Sequence, residues 1–411
     1  MNFEFFIAKR IIDSKAYKSS VSAPIIKIGI AAIAIGIIVM MVAIATGIGL
    51  QQKIRDKVSA FNGHIIISNF DSNNSQESGK PISTQQDFYP RFKDIEGIKN
   101  VQAVAAKFGI IRTETNFEAI IVKGVGADYS WDYFNDFLVE GRIPDYTQGR
   151  NQEVLISQDL AKRMAFKLGD EFSTFFRKED PNKPPTAIRY DIVGIYNSGL
   201  KEFDETYVIG DIRHIQRLNK WEPDQVGHFE VLLADYNQLD EKFRAVFQNT
   251  PSLLNTITVE QKHSSIFEWI GIFDKNIYGL IGIMIIVAGI NMITALLVLI
   301  LERTKMIGIF KALGSNNRSI RKIFLYNASY IILIGLFWGN LIGFALLMAQ
   351  KYFKFFPLDP AVYHVSEVPI YINLGYILTL NIGTFVLCLL MLLVPSYIIT
   401  KISPVKAIRF E

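Results

Sequence analysis

The chain holds a single cysteine, Cys388, so no intramolecular disulfide can form and no cysteine-based metal site is available. Its five histidines, His64, His214, His228, His263 and His364, show no H-E-x-x-H or related spacing. They read as surface or strand-end residues, and no metal site is expected. No G-x-x-x-x-G-K-S/T occurs, which excludes a P-loop nucleotide site on this chain. Residues 314–319 are glycine-led and basic but lack the second glycine and the lysine. The acidic cluster Glu202, Asp204 and Glu205 reads as a solvated turn. With no catalytic constellation in sight, the chain is expected to be non-catalytic. A net charge of +4 is too small to point to nucleic acid.

The more telling absence is of charge itself. The sequence carries 43 Lys and Arg and 39 Asp and Glu, yet residues 28–50, 276–301, 323–350 and 368–400 contain none. At 1.5 Å rise per residue, each run can cross a hydrocarbon core of about 30 Å. A lone cation at mid-bilayer costs about 3 kcal/mol, so four charge-free runs predict four transmembrane helices. Basic residues flank them: Lys9, Arg10, Lys15, Lys18 and Lys27 precede the first. Arg303, Lys305, Lys311, Arg318, Arg321 and Lys322 lie between the second and third, and Lys401, Lys406 and Arg409 follow the fourth. The positive-inside rule then puts 1–27, 302–322 and 401–411 in the cytoplasm and 51–270 and 351–367 outside. The first run is too long for a cleaved signal peptide and reads as an uncleaved anchor.

Small residues mark how the spans pack. Gly335, Gly339 and Gly343 recur every four residues in the third run, and Gly29, Ala32, Gly36, Ala43 and Gly47 fall near a seven-residue repeat in the first. Such stripes let helices approach closely in lipid. Asn291 and Asn340 lie deep in their runs and need hydrogen-bond partners. Pro395 is expected to bend the end of the fourth span.

Residues 51–270 have the composition of a soluble domain. Strands are expected at 64–68, 117–122, 153–157, 189–195, 206–209, 229–233 and 255–259, and helices at 85–94, 158–166, 211–219 and 237–248. The mixture is α+β. At its ends, 51–59 and 264–275 keep helical spacing and continue the neighbouring spans as stalks. The polar stretch 69–86 reads as a mobile loop. The segment 178–185, KEDPNKPP, joins two strand-like runs and reads either as a solvated hairpin tip or as a partner contact.

The loop ERTKMIGIFKALGSNNRSIRKIFL is similar to the FtsX-like permease signature E-R-x-x-E-I-G-I/V-L-K/R-A-L-G-A, and VPSYIITKISPVKAIRFE resembles the ending of the same domain. The stretches FFIAKRIIDSK, VGIYNSGLKEFDETYVI and LDPAVYHVSEVPIYIN resemble the lipoprotein-releasing, Lol-type branch of this family. The resemblance implies a type VII ABC permease: a membrane α-helical protein of the bacterial inner membrane with four transmembrane helices. A large α+β periplasmic domain is inserted between helices 1 and 2. It implies no cofactor on this chain, ATP and Mg being bound by a separate cytoplasmic ATPase dimer. It also implies a second permease copy, identical or related, a lipoprotein substrate drawn from membrane lipids, and a periplasmic carrier that receives it. By the same resemblance, Glu302, Arg303, Ile307, Gly308, Lys311, Ala312, Leu313 and Gly314 match a coupling helix that docks on the ATPase. Ile307, Phe310 and Leu313 can supply an apolar face to it, and Gly314 suits the position just past a helix end. Met306 stands where the signature has its second glutamate.

Acyl chains are expected between the first and second spans, against Met40, Met41, Ile44, Ile48, Phe267, Ile270, Phe273 and Ile277. A carrier contact is expected at Asp180, Pro181, Asn182, Lys183 and Pro184, where Lol-type permeases of one kind have a hook. Two other functions fit the same pattern. One is export of a peptide or antibiotic; the other is a non-transporting transmitter of ATPase motion.

Overall fold

The computed structural model describes residues 3–13, 23–70, 76–113, 116–132, 134–178, 182–359, 363, 365 and 367–403. Lys15, Lys18, His364, Lys406 and Arg409 lie outside the described residues. The chain divides into two compact units: Met1–Leu50 with Trp269–Pro357 and Val368–Glu411, and Gln51–Glu268 with Leu358–Glu367.

Among the described residues, four helices are long and apolar enough to cross a membrane, and their apolar lengths make up the first unit. They are Ala23–Asn62, Ser264–Glu302, Asn317–Phe353 and Leu374–Ser396, the first two continuing into the stretches expected as stalks. The glycine stripe of the third span seats the first span. A Cβ at Gly335 would stand 2.8 Å from Ile33 Cβ, one at Gly339 2.9 Å from the Ala34 carbonyl oxygen, and one at Gly343 3.2 Å from Met41 Sδ. Close backbone approach maximises dispersion contact where lipid removes the hydrophobic driving force. Two small residues of the first span serve the second in the same way, Gly29 against Ala295 and Gly47 against Ile277. Asn340 finds its partner on the fourth span: it donates to Asn381 Oδ1 at 2.6 Å and accepts from Asn381 Nδ2 at 2.9 Å.

The fourth helix begins at Leu374, so 368–373 of the expected span are not helical. The Asn373 side chain caps the helix by accepting from the Gly375 amide, and the Tyr371 amide donates to the Ala45 carbonyl at 3.0 Å. Gly49 makes that approach possible, since a Cβ there would lie 2.5 Å from the Pro369 carbonyl oxygen. At the far end the helix carries Pro395, is interrupted at Tyr397 and resumes as Ile398–Lys401.

The second unit is built on a ten-stranded sheet. Its strands are β1 (Ile65–Asn69), β3 (Ile98–Arg112), β4 (Phe117–Val125), β5 (Leu138–Gly141), β6 (Glu153–Ser157), β7 (Glu171–Phe176), β8 (Thr186–Tyr196), β9 (Tyr207–Asp211), β11 (His228–Leu233) and β12 (Leu254–Thr258); β2 (Ile82–Ser83) and β10 (Gln225–Val226) pair separately. The order is β12-β1-β11-β3-β4-β9-β6-β8-β5, with β7 bridging β3 and β8. Pairing is antiparallel except for β4 with β9 and β6 with β8. Helices Gln158–Met164, Ile212–Asn219 and Leu239–Gln248 supply apolar side chains to the core beside the sheet.

The helix expected at 85–94 does not form. Pro90 lacks an amide and disfavours a helical residue before it. Phe88 and Phe92 are buried instead, stacked at 5.4 Å, with Phe88 edge-on to Phe229. The longest strand, β3, was not expected: residues 101–106 are buried without interruption, so no alternation marks them.

Candidate functional site

Between the second and third spans lies the connector helix Thr304–Ala312. It stops because Gly314 adopts φ +88°. The Gly314 amide then donates to the Lys311 carbonyl at 3.1 Å and the Ser315 amide to the Phe310 carbonyl at 2.9 Å, satisfying the last orphan acceptors of the helix. Two residues on, Asn316 caps the third span by accepting from the Ser319 amide at 2.8 Å. The turn between the two helices is fixed by its own backbone.

The connector has two faces. Ile307 is fully buried, Gly308 is buried, and Met306 and Phe310 pack against the bundle core. Glu302, Lys305, Ile309, Ala312, Leu313 and Asn316 are exposed and recur at helical spacing, with Leu313 77% and Ile309 51% exposed. The apolar trio Ile307, Phe310 and Leu313 therefore does not form one face. Ile307 and Phe310 hold the helix to the bundle, and Leu313 points away with Ile309. Ile309 escaped the motif-based reading, although its four-residue spacing from Leu313 marks it.

Lys311 also faces inward. Its Nζ donates to the carbonyls of Ile399 and Ile402 at 2.7 Å and of Thr400 at 3.3 Å. These belong to the last turn after the Tyr397 break, where a cation compensates the negative end of a helix. Arg303 keeps Nε and Nη2 buried without a hydrogen-bond partner among the described residues. Met306, one turn on, is partly buried and packs against the bundle core where the signature has a carboxylate.

The residues expected along an acyl path do not share one site. Met40 and Met41 are buried in the bundle core, and Ile270 is 2% exposed. Met41 and Ile44 open onto a narrow crevice with Leu347, Tyr371, Tyr376 and Leu380, on the side of the third and fourth spans. Ile277 instead fills the groove at Gly47, while Ile48 and Phe273 are half-buried. Phe267 belongs to the other unit.

In the α+β unit, segment 178–185 connects β7 to β8, which pair from Glu171 with Asp191 to Phe176 with Thr186. Asn182, Lys183 and Pro184 are exposed at this hairpin end, and Asp180 and Pro181 lie outside the described residues. Beside its base is a cleft of about 690 Å³ lined by Lys107, Arg150, Arg177, Lys178, Lys183, Arg189, Arg217 and Lys220, with no carboxylate among the described residues of its lining. The sequence does not reveal it because these cations come from separate segments spread from Lys107 to Lys220. Among the described residues no group of three or more His, Cys, Asp or Glu side chains could hold a metal ion.

Two family models match the chain: the MacB-like periplasmic core domain over residues 28–246 and the FtsX-like permease C-terminal region over 278–404. The chain is 20% identical over 443 residues to the lipoprotein-releasing system transmembrane protein LolC of Neisseria meningitidis, covering 100% of both chains. It is 21% identical over 428 residues to LolE of Haemophilus influenzae, covering 99% of each. The periplasmic region of MacB from Actinobacillus actinomycetemcomitans aligns with 50% of this chain and 92% of its own, at TM-score 0.33 and 15% identity. With a MacB-like core domain matched over more than half of its length and an FtsX-like segment following it, the chain belongs to the FtsX-like, MacB-type family of ABC permeases.

Proposed function

We propose that this chain is the membrane subunit of a lipoprotein-releasing ABC complex in the bacterial inner membrane, with both termini in the cytoplasm. The chain itself is non-catalytic. A separate ATPase dimer binds ATP and Mg and docks on the connector. A second permease copy, identical or related, completes the complex. Closure of the α+β domains then expels a lipoprotein from the membrane to a periplasmic carrier.

One observation carries the reading: the relatives named as lipoprotein-releasing match from end to end, α+β domain included. The geometry supports the reading at two points. The connector is held to the bundle by Ile307, Phe310 and Lys311 and leaves Ile309 and Leu313 outward, the arrangement of a docking ridge on a rigid base. The cation-lined cleft beside the β7–β8 hairpin suits an acidic face on the carrier. A second reading, export of a peptide or small molecule, draws on the MacB-like core domain.

Two experiments test the proposal. Leu313→Asp or Ile309→Asp is expected to cut ATPase co-purification roughly tenfold while membrane insertion is kept, because each puts a charge into a desolvated contact. Retained ATPase in both variants would place the docking surface elsewhere. A photo-crosslinker at Phe273 is expected to trap a native lipoprotein. Capture of soluble peptides alone would favour the second reading. Met41 is unsuited to the probe, since its side chain is buried among the spans.

A further inference from the structure

The last turn of the helix Ala23–Asn62 ends, within the α+β unit, on a buried ion pair. Lys123 of β4 and Glu230 of β11 are 3% and 1% exposed, and Lys123 Nζ donates to the two Glu230 oxygens at 2.7 and 3.0 Å. The same ammonium donates to the carbonyl oxygen of Phe61, one residue before the helix ends. A cation is thus seated at the negative end of the helix. Glu230 also accepts from Gln102 Nε2 at 2.9 Å, and Gln102 Oε1 accepts from the Ser130 amide at 2.9 Å. Burial pushes the Glu230 carboxyl up, but Lys123 and His228 outweigh it and hold the group at about 2.

Further contacts grip the same turn. Tyr129 donates to the Ala60 carbonyl at 3.3 Å, and its ring centroid lies 5.3 Å from Lys123 Nζ. The Phe61 ring stacks on Phe203 at 4.7 Å and meets Phe134 edge-on at 5.0 Å. Just beyond the helix, Gly63 has φ +67°, and a Cβ there would stand 2.9 Å from Glu230 Cβ.

A buried ion pair is a poor device for stability alone, because two apolar side chains of similar volume commonly serve as well or better. What it supplies is direction. An ammonium shared between a carboxylate and one helix carbonyl accepts a single rotation of that helix end, whereas apolar contacts tolerate neighbouring ones. We propose that Lys123 and Glu230 are positioning residues that lock the end of this helix, residues 51–62, into the sheet of the same unit at one azimuth. This rests on the reading of the chain as a permease driven by a separate ATPase.

The test uses the full chain with its partner ATPase in nanodiscs, on a Cys388→Ser background. Spin labels at the exposed positions Lys53, on the helix, and Glu140, on β5, report the distance distribution between them. Glu230→Gln breaks the pair. Lys123→Met/Glu230→Leu replaces it with an apolar one and guards against simple unfolding, checked by thermal melting. The double variant is expected to stay folded and to hydrolyse ATP at the parent's rate, melting somewhat lower because Gln102 Nε2 and the Phe61 carbonyl lose their partners. Its distance distribution should broaden, and lipoprotein released per ATP should fall roughly fivefold or more. An unchanged distribution in the double variant would overturn the joint. A broadened one with undiminished release would overturn its part in coupling. If the parent complex released no lipoprotein while the distributions behaved as expected, the lipoprotein reading would fail and the joint would stand.

Discussion

Lys311 shows how a residue that looks destined for a partner is spent inside the protein. Its three carbonyl acceptors close the last turn after the fourth span, so Lys311→Met should speed hydrogen exchange across 398–402 by roughly tenfold to a hundredfold, as loss of charge-assisted bonds worth about 1.5–3 kcal/mol requires. Lys311→Arg should keep most of the protection; equal exchange in the methionine variant would refute the role. His64 responds to pH. It accepts from the Leu233 amide at Nδ1, 3.1 Å away, and burial lowers its pKa from 6.5 to about 4. The unfolded chain therefore binds its proton first. The stability this ring contributes is complete above pH 6.5 and is lost as pH falls through 4, up to about 3 kcal/mol. Unfolding followed between pH 7 and 4 should show that loss and, in His64→Gln, a shallower one.

Among the elements, the third span's glycine stripe makes the sharpest prediction. Gly339→Ala pushes a methyl group against the Ala34 carbonyl and Ile37 and should cost about 1–3 kcal/mol, whereas Gly36→Ala meets nothing within 4 Å and should change stability by less than about 0.5 kcal/mol. Similar melting temperatures for the two would contradict the packing described. The connector's end tests the turn: at φ +88°, Gly314→Ala should cost about 1–2 kcal/mol and Gly314→Asn less. These features were legible in sequence because spans and caps obey local rules: uncharged runs, four-residue glycine spacing, a glycine one step past a helix. The sheet was less so. β3 is buried over consecutive positions and shows no alternation, and Phe88 and Phe92 sit at helical spacing yet serve a stacked pair around Pro90. The connector's motif was visible, but not which side of it faces out; that depends on Ile307 and Lys311 meeting partners distant in the chain. The cation-lined cleft depends on segments more than a hundred residues apart, which no local pattern reports.

At the scale of the whole molecule, the proposed function assigns three roles: the outward ridge of Ile309 and Leu313 receives the ATPase, residues 51–62 of the first helix are held to the sheet, and the cleft beside the β7–β8 hairpin meets the carrier. The most direct test joins all three: the purified chain with its partner ATPase, reconstituted into proteoliposomes carrying a triacylated lipoprotein and supplied with ATP and soluble carrier. The account predicts lipoprotein transferred to the carrier only with ATP, and lost with Leu313→Asp although the lipoprotein remains in the membrane. ATP-dependent turnover by the intact complex with no lipoprotein reaching the carrier would contradict it.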